Sequence, residues 1–492
     1  MIRKLTAEHR SHIFSGRDGG SAHARRVVGD NYDACVIGSG PGGAVAAATL
    51  ALSGKKVVLV ERGPFVPPEN VTFRVLDMSN KFGHVETTSG YRTVLYQGNA
   101  LGGSSTIFGA VAMKPQQFTF DEWRTQSGVD SINSDTLEPH YRHVGEVMSV
   151  TRQTKDLENR PNAIVREMAT ALGKPDDLVT VNRYTSGCAG VGLCNFGCGV
   201  DLKGNMINSF LPLALDTGNL TVLTDCEVKG ILGEQLRSGW RANGVAVSFK
   251  SDDLRSRERT LIRARNVVVA AGAFFSSSIL LRSPNFPNRQ SIGRKIYLQP
   301  HAQIFALFDK PVTKRGVIET GQYIPYNGVP AIYNFLGFLR QHHFWWLASI
   351  LYPASLASFV SNLRPDEHFN IMKQFHNTMS VTVTVKDDPA KSQIVLKDGR
   401  AQLLFEESRR DIESFRQCFL AAAEGFLAVG ARRVFLPLLR PPSIETRADL
   451  KKIQSLKFTY NDLILYSDHT SGGNQFGADA TRGVTDEHGR VF

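Results

Sequence analysis

The sequence predicts an α/β chain, α+β overall, in two parts. The first is a Rossmann-like domain with a parallel sheet. The second is a domain built on an antiparallel sheet backed by helices. Three observations predict this. Residues 31–63 read in order as strand, glycine-rich turn, helix, strand and acid, the layout of a dinucleotide-binding unit. From about residue 302 the pattern changes. Residues 380–385 and 393–396 alternate with period two, 401–405 is a third apolar run, and Asp398-Gly399 is a turn signal between the last two. Residues 410–429 then carry alanines and phenylalanines at helical spacing.

The first unit opens with the apolar strand Ala34-Cys35-Val36-Ile37 and continues into Gly38-Ser39-Gly40-Pro41-Gly42-Gly43. Gly38 suits the tight turn, Gly40 lets the backbone approach a pyrophosphate, and Gly43 lets helix and strand pack closely. An alanine-rich helix from Ala44 to Leu52 offers its N-terminus to the anion, and Gly54 is placed to end it. A second strand, Lys56 to Val60, delivers Glu61 about 20 residues after the glycines, where an acid accepts ribose hydroxyls. A glutamate there argues against a 2′-phosphate but does not separate NAD from FAD. Further on, Gly102-Gly103-Ser104-Ser105 concentrates small residues that admit a flat ligand and hydroxyls that can bond it.

With 492 residues, 42% hydrophobic and 21% charged, the chain has the balance of a soluble globular protein with room for two or three domains. The 57 Lys+Arg against 46 Asp+Glu leave a net +11, spread along the chain as a solvated surface would be. No zinc finger or basic–aromatic repeat marks a nucleic-acid partner. Residues 1–30 are polar and basic without an apolar core, so they read as an N-terminal extension rather than a signal, and the expected location is cytoplasmic. Six cysteines are too sparse for a disulfide scaffold. The stretch 335–360 is the most apolar, interrupted by Arg340, His342, His343 and Pro353. It is short for a bilayer span and reads as a buried helix or pocket wall, with peripheral membrane contact through 344–360 as the alternative.

Taken together these motifs resemble the glucose–methanol–choline (GMC) family of FAD-dependent oxidoreductases. GSGPGG with Glu61 is similar to its flavin fingerprint, and Leu101-Gly102-Gly103-Ser104-Ser105 to its second flavin motif. Leu137-Glu138-Pro139-His140-Tyr141 resembles its "LEPYY" helix, and Val267 to Ala273 the strand that passes under the flavin. Gly293-Arg294-Lys295-Ile296 resembles its "GRN" segment, and His469-Thr470-Ser471-Gly472-Gly473 its C-terminal "HPxGG" signature. The resemblance implies an FAD-binding domain over 31–301 and 456–492, and a substrate-binding domain over 302–455. It implies Gly38, Gly40, Gly43, Glu61, Gly102, Gly103, Ser104, Ser105, Val228, Ala271 and Gly272 as cofactor-binding residues. The implied activity is oxidation of an alcohol, sugar or sterol-like CH–OH donor, with His469 as the base. His301, His342, His343, His368 and His376 stand behind it as weaker candidates.

Three departures accompany the resemblance. Phe108 stands where many members carry an asparagine, and Gln299-Pro300-His301 replaces a His-Pro. The family also continues beyond the segment Asp486 to Phe492 with a last strand and an Asn or His that completes a catalytic pair. That opens the alternative of a truncated, non-catalytic flavin or nucleotide binder. An NAD-dependent dehydrogenase is a third reading, which leaves the Gly102–Ser105 loop without a use.

The loop 186–204 holds Cys188, Cys194 and Cys198 at C-x5-C-x3-C, a bacterial ferredoxin run with its second cysteine replaced by Val191. It is similar to the arrangement in some sugar dehydrogenases of the family, where a three-iron cluster passes electrons from flavin to a cytochrome. Three ordinary cysteines on a flavin-side loop remain the other reading, and the electron acceptor stays open between oxygen, a quinone and a cytochrome.

Overall fold

The computed structural model describes residues 3–17, 27–72, 74–88, 93–153, 157–237, 239–249, 259–312, 329, 331–349, 353–361 and 363–492. Its first layer is a seven-stranded sheet. Five strands run parallel in the order Ile13–Ser15, Leu220–Thr224, Val57–Val60, Asn31–Ile37 and Arg259–Val269. The sheet ends in the antiparallel meander of Gly239–Phe249 and Cys226–Leu236. Residues 1–30, expected as an extension, thus contribute an edge strand. A three-residue edge strand is too short to carry a periodic signal.

The helix Pro41–Leu52 covers one face of this sheet. Its buried Gly43, Ala44, Ala47, Ala48 and Ala51 recur at helical spacing. Their small side chains let it lie close to Val36, Leu59 and Leu211.

The second layer is a nine-stranded, mainly antiparallel sheet. Its centre is His301–Leu307, Thr378–Val385 and Phe344–Ser349. Alternation decides its faces. Ala302, Ile304, Ala306, Val381, Val383, Phe344 and Trp346 enter the largest hydrophobic core with Phe415, Phe419 and Phe426 of the helix Arg409–Ala428. His301, Gln303, Thr382 and Thr384 point the other way, yet are also buried or nearly so. A sheet face that is both buried and polar is the unusual feature of this layer. The expected substrate domain over 302–455 supplies most of these strands, while Gly83–Thr87, Thr93–Gly98, Leu178–Thr180 and Leu465–Ser467 join from outside it. The hairpin Gln393–Lys397 and Arg400–Leu404, expected in the same sheet, instead pairs with Arg294–Tyr297 in a separate four-stranded one.

The expected buried helix needs correction over 344–349, while the pocket-wall alternative holds for Trp345. Residues 344–349 form a central strand, not a helix, with Phe344 and Trp346 wholly buried. Apolar side chains on both faces hid the period-two signal. Leu356 and Val360 also turn inward; residues 350–352 lie outside the described residues. Among the described residues no helix is long and apolar enough to cross a membrane.

Candidate active site

A cleft of about 1030 Å³ opens at the carboxyl ends of the parallel strands, floored by the glycine turn. This is where ligands sit in open α/β sheets. Gly38 holds φ +93°, and a Cβ there would lie 2.6 Å from the Ala270 carbonyl oxygen. A Cβ on Gly43 would lie 1.8 Å from the Gly38 carbonyl oxygen, so this glycine packs the helix on the turn and does not line the cleft. Gly40 faces open space and lines the cleft. Pro41 begins the helix and no side chain caps it, leaving first-turn N–H groups for an anion.

Ser39 ties the expected cofactor residues together. Its hydroxyl donates to Glu61 Oε2 at 2.6 Å and accepts from Gly102 N–H at 2.9 Å. Glu61 Oε2 also accepts from Ser39 N–H at 3.0 Å, and Oε1 accepts from Gly63 N–H at 2.8 Å. The carboxylate therefore organises the turn as well as facing the cleft. Gly103 and Ser104 line the cleft, with Val228, Ala271 and Gly272 on other walls. Gly102 and Ser105 lie behind it; Ser105 Oγ donates to the Gly102 carbonyl at 2.6 Å and accepts from Met206 N–H at 3.1 Å. These surroundings fit a dinucleotide: a bare-backbone cradle that a side chain at Gly40 would fill, a helix N-terminus and a ribose-side acid.

His469 does not line this cleft, but its neighbours Thr470, Ser471 and Gly472 do. Its side chain is exposed, and its Nδ1 lies 3.5 Å from Asp468 Oδ1. The same oxygen lies 2.6 Å from Nε2 of buried His301. The two imidazoles meet edge to face with centroids 5.0 Å apart. His301 Nδ1 is paired with Thr384 Oγ1 at 2.7 Å, directly across the strand pair. Desolvation lowers the His469 pKa, Asp468 opposes this, and His301 lowers it further. Desolvation also works against the charge of Asp468, yet His301 and His469 hold its carboxyl well below the usual range. The other candidate histidines lie elsewhere: His342 and His343 at the end of a short helix, His368 in Pro365–Lys373, and His376 in the turn after it. Sequence reasoning missed Asp468, Thr384 and Ser39. Asp468 was visible as the residue before the signature histidine, but its contact with a residue 167 positions earlier was not.

A second cavity of about 500 Å³ lies against the same Ser471–Asn474 segment. Phe118, Trp123, Tyr297, Trp345 and Phe476 supply its aromatic walls, and Lys386 pairs with Glu122 inside it.

The cysteine loop does not fit an iron–sulfur cluster. Cys188, Cys194 and Cys198 are free thiols around a cavity of only about 30 Å³. Cys194 Sγ accepts from Arg183 at 3.3 Å; desolvation raises its pKa, opposed by Arg183 and Lys203. Lys203 is buried beside it and donates to the carbonyls of Thr106, Phe108 and Cys194 at 2.7, 3.1 and 2.6 Å. Among the described residues the three sulfurs do not come close enough together to form a metal-holding group.

Fold and cleft together define a dinucleotide-binding α/β protein with a histidine pair beside its ligand cleft. Residues 33–301 match the GMC oxidoreductase family, and the chain belongs to it. It is 28% identical over 57% of its length to the uncharacterized GMC-type oxidoreductase y4nJ of Sinorhizobium fredii, covering 54% of that protein. It is 26% identical over 59% of its length to the long-chain-alcohol oxidase FAO4A of Arabidopsis thaliana, covering 39% of it. The chain thus spans about half the length of the first relative and less of the second. Formate oxidase of Aspergillus oryzae, an FAD protein, shares the fold at a TM-score of 0.65, with 14% identity over 94% of this chain and 92% of its own. Pyridoxine 4-oxidase from Mesorbium loti does so at 0.65 and 15%, over 93% and 91%.

Proposed function

We propose that the chain is an FAD-dependent oxidoreductase that oxidises an alcohol at a CH–OH carbon, with His469 as the base. The observation that carries this is the adjacency of His469 to Thr470, Ser471 and Gly472, which wall the cleft shaped for a dinucleotide. FAD, when bound, supplies the two-electron oxidant. The glycine turn and the uncapped helix would hold its pyrophosphate, and Glu61 its ribose.

His469 accepts the hydroxyl proton at its imidazole, a task that needs the neutral ring its lowered pKa favours. Asp468 then stabilises the imidazolium from 3.5 Å away. The aromatic cavity beside Ser471 gives room for the rest of the substrate, in keeping with a relative that is a long-chain-alcohol oxidase.

Stopped-flow measurement of flavin reduction by a panel of alcohols tests the reading. His469→Ala should retain FAD but reduce it roughly 10²–10⁴-fold more slowly, the usual worth of general-base catalysis. Reduction at the wild-type rate would place the base elsewhere.

A further inference from the structure

We propose that His301, Asp468 and His469 form a binding site for a single divalent first-row transition ion, zinc being the type case, whose occupancy blocks the base. This rests on the reading of His469 as the base for its effect, but not for the binding itself.

The donor set is two imidazoles and one carboxylate, which suits borderline ions such as zinc. One ligand atom from each residue falls within 4.8 Å of the others. Asp468 Oδ1 lies 2.6 Å from His301 Nε2 and 3.5 Å from His469 Nδ1. Ligands on a tetrahedral ion with bonds near 2.0 Å stand about 3.3 Å apart, so the carboxylate contacts shift by less than about 1 Å and the two imidazoles close by at most about 1.5 Å to complete the site.

The surroundings match as well. Metal-bound histidines use their second nitrogen to hold the ring in place. His301 does so through Nδ1 and Thr384 Oγ1 at 2.7 Å. Thr384 Oγ1 engages Nδ1, so Nε2 is the nitrogen that faces the carboxylate oxygen. Two such atoms at 2.6 Å need a cation between them, either a proton or a metal. His301 is buried, and its Nε2 makes no well-aligned hydrogen bond. Asp468 and His469 are exposed, so an ion can enter and its remaining position is open. No electrons move in this step: the ion displaces whatever protons the three groups hold.

The test is calorimetric titration of the chelator-treated, FAD-loaded protein with zinc chloride, alongside His301→Ala, Asp468→Asn and Thr384→Val. Flavin absorbance checks that each variant is folded and loaded. The expected result is a binding event of one ion per chain that is lost in His301→Ala and Asp468→Asn. In Thr384→Val it should weaken about 10–100-fold, the usual cost of removing a ligand's supporting hydrogen bond. Zinc held by the cysteine loop would survive all three substitutions. Failure to bind zinc, or binding that none of the substitutions changes, would overturn the proposal. Because heat rather than turnover is measured, an outcome on zinc stands apart from whether alcohols reduce the flavin. If both proposals hold, zinc at saturating concentration should slow wild-type flavin reduction as far as His469→Ala does.

Discussion

Glu61 shows how one side chain can serve both a fold and a ligand. Both of its oxygens accept backbone N–H donors, from Ser39 and Gly63. Glu61→Gln would turn an NH₂ group toward one of those donors whichever way the amide is flipped. A cost of about 1–3 kcal/mol in stability follows, with weaker FAD retention, although the substitution keeps size and shape. Thermal melts of apoprotein and flavin content after gel filtration check this. Ser39→Ala should cost less, since only a hydroxyl link is lost, yet should also loosen the Gly102–Ser105 loop that the hydroxyl anchors. At this scale the sequence was informative about which residues matter and less so about their partners. Gly38, Gly40 and Glu61 were legible because their spacing reflects a local turn. The link through Ser39 to Gly102 joins loops 63 positions apart, and no local pattern records it.

At the scale of elements, Lys203 clasps the second glycine loop to the cysteine loop through three carbonyls. Burial lowers its pKa from 10.5 to about 8. The folded state thus favours the neutral amine. Between about pH 8 and 10.5 the unfolded chain binds more protons, so stability rises with pH across that window. Lys203→Met should lack this rise, and near neutral pH it should be destabilised by about 1–3 kcal/mol, because three buried carbonyls lose their donor while the cost of burying the charge is also removed. Denaturant melts of both proteins at several pH values measure the difference. The cysteine spacing misleads because C-x5-C-x3-C records distance along a loop, whereas how close the sulfurs come and how deeply each is buried depend on the fold around it. The strand Phe344–Ser349 was illegible for another reason, since a run apolar on both faces has the same composition as a buried helix.

At the scale of the molecule, the parallel unit was predictable because its strands, turn and helix are contiguous in 31–63. The second sheet was only partly so. Its strands are gathered from segments between residues 83 and 467, and only the central ones carry enough alternation to be seen. A cleft of about 1030 Å³ running across this architecture makes folding and cofactor loading one equilibrium. Added FAD at about 100 times its dissociation constant should stabilise the apoprotein by about 2.7 kcal/mol, visible as a concentration-dependent rise in melting temperature. Riboflavin, which lacks the pyrophosphate that the glycine turn is built to meet, should give much less.

The alternation along His301–Leu307 also limits how this site can change over generations. His301 is paired with Thr384, while the next residue, Ala302, is paired with Val383 and faces the core. Inserting or deleting one residue upstream within that strand would exchange the two faces, sending the imidazole into the core and a methyl group to the site. Lineages can therefore retune this chemistry by exchanging side chains in place, whereas changes of length are confined to the loops at the strand ends. A duplicated descendant that acquired a new substrate would keep the spacing between Pro300 and Leu307 even if it kept none of the polar residues within it.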